Sequence, residues 1–241
     1  RRVWNRDLAM MKKFGVFCLL LCLATVSSAN VETVRNNLAK QYPNLRITQI
    51  QATEMAGLYS AKLDDQIVYL GENAQHIFLG SMIRLKDQKN LTKDLVIQQN
   101  SMDWKQLPLK DAIKIIKGNG QHQLAIFSDP NCPYCKKLET ELDRLNNYTL
   151  YLFIYPLKPQ SIAVSKQIWC DKTPANAWKN LLQRNIQPQA KSCEHPIDRN
   201  LELGRKLQLN GTPTLIFANG FKFMGLRSAE DIEAIWKELG L

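Results

Sequence analysis

Two cysteines placed where an apolar strand pattern gives way to a helical one constrain this chain more than any other feature. The stretch SDPNCPYCKKLE, residues 128–139, follows the nearly continuous apolar run LAIFS from Leu124, the pattern of a strand covered on both faces. Leu138, Leu142 and Leu145 then recur at helical spacing, so Cys132 and Cys135 fall at a helix start. A second strand-like run, TLYLFIY from Thr149, comes next. Strand, helix, strand in this order reads as a βαβ unit with a parallel strand pair.

Such a pair of cysteines has three possible uses. Zinc needs four ligands, and the best additional candidates, Cys193 and His195, are separated by a single residue, a poor half-site. A staple across two residues closes too small a loop to stabilise much through chain entropy. Redox chemistry fits the position. At a helix start, free backbone N–H groups and the positive dipole end favour the thiolate of Cys132. Cys135, one turn in, is expected to be less exposed, closer to an ordinary thiol, and to resolve a mixed disulfide by attacking Cys132. Pro133 removes an N–H and fixes the turn, while Tyr134 offers an amphipathic contact surface.

Residues 10–29 read as a secretory signal: Met10 or Met11, the basic Lys12 and Lys13, an apolar run from Phe14 to Val26, and small residues at Ser27 and Ala29. Setting the leader aside removes Cys18 and Cys22 and leaves Cys132, Cys135, Cys170 and Cys193, an even set that fits an oxidising compartment. Their pairing is open, because four cysteines allow three connectivities. The formal charge of +10 falls to +6, since Arg1, Arg2, Arg6, Lys12 and Lys13 against Asp7 lie in or before the leader. The remaining basic residues are mixed with acidic ones and not interleaved with aromatics, which argues against a nucleic-acid partner.

After the leader, Val31, Val34 and Leu38 mark a helix closed by Pro43, and LRITQI, GLYSAKL, QIVYLG and HIFLG are short strand-like runs. Residues 30–89 are thus expected to form a small α+β domain, and residues 90–107 a polar connecting helix capped by Asn90. The second domain, 108–241, is expected to add helices around residues 161–170, 175–184 and 197–207. A strand from Thr214, a tight hairpin at Asn219 and Gly220, and a closing helix capped by Ser228 follow.

FSDPNCPYCKKLE together with GTPTLIFANG resembles the thioredoxin fold, and specifically the exported disulfide isomerases of the DsbC and DsbG type. The resemblance covers essentially the whole chain after the leader, and Cys-Pro-Tyr-Cys followed by Lys is similar to the DsbG branch. It implies an α+β protein: a thioredoxin-like α/β catalytic domain behind a small cystatin-like α+β dimerisation domain and a linker helix. It implies Cys132 and Cys135 as the catalytic pair, Pro133, Tyr134, Thr212 and Pro213 as their neighbours with Pro213 cis, and a structural bridge between Cys170 and Cys193. It further implies a periplasmic homodimer without a cofactor or metal, acting on misfolded or cysteine-containing exported proteins and served by a DsbD-like membrane thiol reductant. The activity implied is isomerisation of wrong disulfides; net thiol oxidation, sulfenic-acid reduction of the DsbG type and a non-catalytic chaperone role are the alternatives. Ile126 stands six residues before Cys132, where thioredoxin has a buried acid, so solvent, Lys136 or Lys137 is left to take the proton from Cys135.

Overall fold

The computed structural model describes residues 30–64, 66–189 and 192–241, and the chain divides into two units between Val96 and Ile97. The expected leader lies outside the described residues, among which no helix is long and apolar enough to cross a membrane.

In the first unit, helix α1 (30–41) precedes strands β1 (Ile47–Ala52), β2 (Leu58–Leu63), β3 (Gln66–Gly71) and β4 (Ile77–Leu79), an antiparallel sheet in that order. Period-two alternation turns Tyr59 and Ala61 of β2 and Val68 and Leu70 of β3 into one core, which Val34 and Leu38 of α1 complete. The outer strand β4 differs: Ile77, Phe78 and Leu79 are 38, 58 and 70 % exposed. A two-stranded ribbon, β5 (Ile83–Arg84) and β6 (Lys89–Asn90), leads into α2 (Leu91–Gln99), where Asn90 Oδ1 accepts the Lys93 N–H at 3.0 Å.

The helix expected over 90–107 is shorter than that pattern predicts. It stops at Gln99 because the next backbone groups pair elsewhere: Asn100 O accepts from Lys222 N at 2.8 Å, and Met102 N donates to Gly220 O at 3.0 Å. Trp104–Gln106 then makes a separate 3-10 turn capped by the Asp103 side chain.

Five strands build the second unit's sheet: β7 (Ile113–Lys117), β8 (His122–Ser128), β9 (Tyr148–Ile154), β10 (Thr214–Phe217) and β11 (Lys222–Met224), in the order β11-β10-β8-β9-β7. β8 and β9 are parallel and the other neighbours antiparallel. Helix α3 (Pro133–Arg144) makes the crossover, followed by α4 (Pro159–Trp169), α5 (Pro174–Arg184), α6 (Ile197–Lys206) and, after the hairpin, α7 (Ala229–Leu239). Leu124 and Ile126 pack into a core with Leu138, Leu142, Trp178 and Trp236, whereas Ala125 and Phe127 pack into a second with Phe153, Tyr155 and Leu209. Burial on both faces is why LAIFS is apolar without alternation.

The sequence reading named no strand at β7. Its Lys114 and Lys117 interrupt the apolar pattern, as suits an edge strand with one side to water. At the β10–β11 hairpin, Gly220 has φ +88, and a Cβ there would lie 1.7 Å from Met102 O, so a side chain is excluded by backbone. A disulfide joins Cys170, at the end of α4, to Cys193, ahead of α6.

Candidate active site

The loop between β8 and α3 carries the cysteines. Cys132 is the residue ahead of the first helical turn, and Pro133 occupies the first helical position, where a backbone N–H would have no intrahelical partner. Asp129, 1 % exposed, fixes the loop from within. Its backbone carbonyl accepts from Cys132 N at 3.0 Å, and its carboxylate accepts from Asn131 N at 2.8 Å and Ser161 Oγ at 2.6 Å. The same carboxylate takes the N–H groups of Leu157 at 2.8 Å and Lys158 at 3.2 Å. One buried acid therefore ties the cysteine loop to the chain leaving β9, and these four bonds offset its desolvation.

Facing Cys132 is the loop that enters β10. The Thr212–Pro213 peptide is cis, and Thr212 O accepts the Cys132 thiol at 3.3 Å. Pro213 O accepts from Gly225 N, and Thr214 Oγ1 donates to Gly211 O, both at 2.8 Å, which anchors that loop to the hairpin. Residues 80 positions apart thus meet at one sulfur. Tyr134 projects outward, 58 % exposed, with Lys137 Nζ 5.8 Å from its ring centroid.

The two thiols differ in environment. Burial pushes Cys132 up, but the Thr212 side chain, the backbone N–H groups of Cys135 and Tyr134 and the Cys135 thiol all hydrogen-bond its anion. Together they bring it below the ordinary thiol value. Cys135 is fully buried, and burial pushes it up to about 12 despite hydrogen bonds from the Ser128 side chain and the Asp129 backbone, with the neighbouring Cys132 charge opposing ionisation further. Cys135 is less exposed than Cys132, as expected, but instead of lying closer to an ordinary thiol it is pushed well above one. The arrangement suits a more readily ionised sulfur at the helix start that attacks, and a protonated one behind it that is held in reserve.

Cys193 is bonded to Cys170, so the zinc set that would have used it is excluded by covalent chemistry. Sequence reasoning passed over Asp129 and Glu139. Asp129 lay inside the quoted stretch, but its role depends on residues 157–161, which no local pattern indicates. Glu139 follows Cys135 by one helical turn, is buried, and accepts the Trp178 Nε1–H at 2.7 Å. The spacing of four residues from Cys135 on an amphipathic helix was the available signal.

Two family descriptions match the chain: a thioredoxin-like domain over residues 109–240 and a disulfide bond isomerase protein N-terminal domain over residues 25–93. A probable thiol:disulfide interchange protein DsbC of Bordetella pertussis is 31 % identical over 212 residues, 88 % of this chain and 76 % of that protein. The thiol:disulfide interchange protein DsbC of Salmonella typhimurium is 27 % identical over 239 residues, covering 95 % of this chain and 97 % of that one. Among solved structures, a disulfide interchange protein from Neisseria gonorrhoeae aligns with a TM-score of 0.53 at 34 % identity, over 55 % of this chain and 97 % of its own.

Proposed function

The chain belongs to the thioredoxin-like, DsbC-type family of thiol:disulfide interchange proteins, and from that premise we propose that Cys132 and Cys135 carry the exchange, in the direction of disulfide isomerisation in exported proteins. In this reading the Cys132 thiolate attacks one sulfur of a wrong substrate disulfide. An S–S bond forms between Cys132 and the substrate, and the other substrate sulfur leaves as a thiolate free to attack elsewhere in its own chain. Where reshuffling stalls, Cys135 attacks Cys132, the Cys132–Cys135 disulfide forms, and the substrate departs reduced. No cofactor enters these steps. Thr212 and Pro213 border the attacking sulfur, and Tyr134 supplies exposed apolar area beside it.

The observation that carries this reading is the asymmetry of the pair: a sulfur at a helix start whose anion the Thr212 side chain and two backbone N–H groups favour, backed by a fully buried thiol. Cys132→Ala is expected to abolish refolding of a scrambled multi-disulfide substrate, whereas Cys135→Ala traps the mixed disulfide. Retained refolding by Cys132→Ala defeats the assignment. The resemblance of Cys-Pro-Tyr-Cys to the DsbG branch favours a second reading, reduction of sulfenic acids on lone cysteines. The reduction potential of the pair and turnover of a sulfenic-acid substrate separate the two.

Residues 30–89 are proposed to be the dimerisation domain, 90–107 the connector and 108–241 the catalytic domain. The exposed outer strand β4 supports dimerisation, because an edge bearing Ile77, Phe78 and Leu79 that pairs with no further strand among the described residues is suited to pairing with a second copy. The leader and the family together support a periplasmic location and a DsbD-like membrane reductant that returns the disulfide form to the dithiol.

A further inference from the structure

Cys135 cannot act as a nucleophile until it loses its proton, and its surroundings oppose that loss. It is 0 % exposed, lies in the core with Leu138, Leu142 and Trp178, and burial pushes its thiol up to about 12. At neutral pH such a group is anionic about once in 100,000 molecules, so unassisted resolution is slow. Ile126, behind it on β8, has no proton-accepting group. Lys137 is exposed and stands over the Tyr134 ring, and an ammonium has no lone pair to offer.

Glu139 is differently placed. It shares a helix face with Cys135 one turn away, a relation that sets Cβ atoms about 5–6 Å apart and leans the later side chain toward the earlier turn. Glu139 also lines a cleft of about 550 Å³ with Lys117, Asp143, Asn176, Trp178 and Lys179, giving its carboxyl a route to water that Cys135 lacks. We infer that Glu139 is the proton acceptor for Cys135 in the resolving step, directly or through one water. This inference rests on the dithiol reading above.

In that step the Cys135 proton passes to the Glu139 carboxylate, the Cys135 thiolate attacks Cys132, and the bond between Cys132 and the substrate breaks as the Cys132–Cys135 bond forms. This step exchanges one S–S bond for another and the substrate sulfur leaves as a thiolate; over attack and release together the cysteine pair gives up two electrons and the substrate disulfide gains them. Glu139 then returns its proton to water through the cleft.

The groups around Glu139 set its basicity. Burial pushes it up to about 7, and the Asp143 charge on α3 adds to this. The Trp178 N–H and the Lys179 charge, both on α5, pull it down. Tyr148 on β9 is itself pushed up to about 12, first by burial and then by Glu139 and Asp143. Lys117 on β7 donates to Asp143 O at 2.5 Å, and Lys179 and Gln183 bind the Asp143 carboxylate at 2.6 and 2.7 Å.

The test is single-turnover release of a peptide held as a mixed disulfide on Cys132, followed from pH 5 to 9 in the full chain and in Glu139→Gln. The amide of that variant keeps an acceptor for Trp178 but takes no proton from a thiol. Release in the parent is expected to rise through an apparent pKa near 7. In the variant that limb is expected to vanish, with release slowed about 100-fold at pH 7.5. Trp178→Phe, which removes the N–H that favours the carboxylate, is expected to move the limb to higher pH. Superimposable profiles for the parent and Glu139→Gln overturn the inference. So does slowing of mixed-disulfide formation and release by one common factor, which marks a general loss of structure. Failure of the parent itself to form a mixed disulfide overturns the dithiol reading, and this role with it.

Discussion

Cys132, at the cap, and Cys135, in the first turn behind it, are shifted in opposite directions, since hydrogen-bond donors outweigh burial at the first sulfur and burial outweighs them at the second. The same competition acts on Glu139, where burial outweighs the Trp178 hydrogen bond and raises the carboxyl to about 7 from an ordinary 4.5. For an acid whose folded value is raised, the folded chain keeps a proton that the unfolded chain has released, so stability falls as pH rises through that window. Between pH 4.5 and 7 the loss is expected to be at most about 3 kcal/mol. Urea titrations at several pH values check this, because Glu139→Gln should lack the decline and match or exceed the parent at pH 7. A variant that loses stability in step with the parent would place the titration elsewhere.

Among the elements, β8, α3 and β9 were legible because each has a pattern set by its own burial: apolar throughout for the strands buried on both faces, one apolar stripe for the helix. What escaped was set by distant partners. β7 is an edge strand whose two lysines mask its periodicity, and the end of α2 is decided by hydrogen bonds to residues 220 and 222. Glutamate on a helix is a surface residue by default, so Glu139 reads as solvated until Trp178, 39 positions on, is seen to bind it. The covalent link between α4 and the segment before α6 spans 23 positions. Replacing Cys170 and Cys193 together by serine should therefore cost about 3 kcal/mol in the chain-entropy model, read as a lower denaturation midpoint. The Cys132 alkylation rate is expected to stay near that of the parent, as the bridge has no part in the hydrogen bonds around that sulfur.

For the molecule as a whole, isomerase work calls for the attacking sulfur to be reached by large, partly unfolded chains, and a dimer would present two such sulfurs to one substrate. The outer strand β4 is the feature on which that assembly is argued. Replacing Phe78 and Leu79 by aspartate sets two charges on an edge where apolar side chains are 58 and 70 % exposed. Light scattering is expected to find the parent at twice the chain mass and the variant at one. Unchanged mass would move the interface elsewhere. Finally, Cys193 lies at the surface while bonded to Cys170. A catalyst that rearranges crosslinks in its clients thus wears one of its own in the open, where a neighbouring copy's nucleophile can collide with it. Concentrated preparations are therefore expected to exchange this bridge between copies, which linked species on non-reducing gels would reveal.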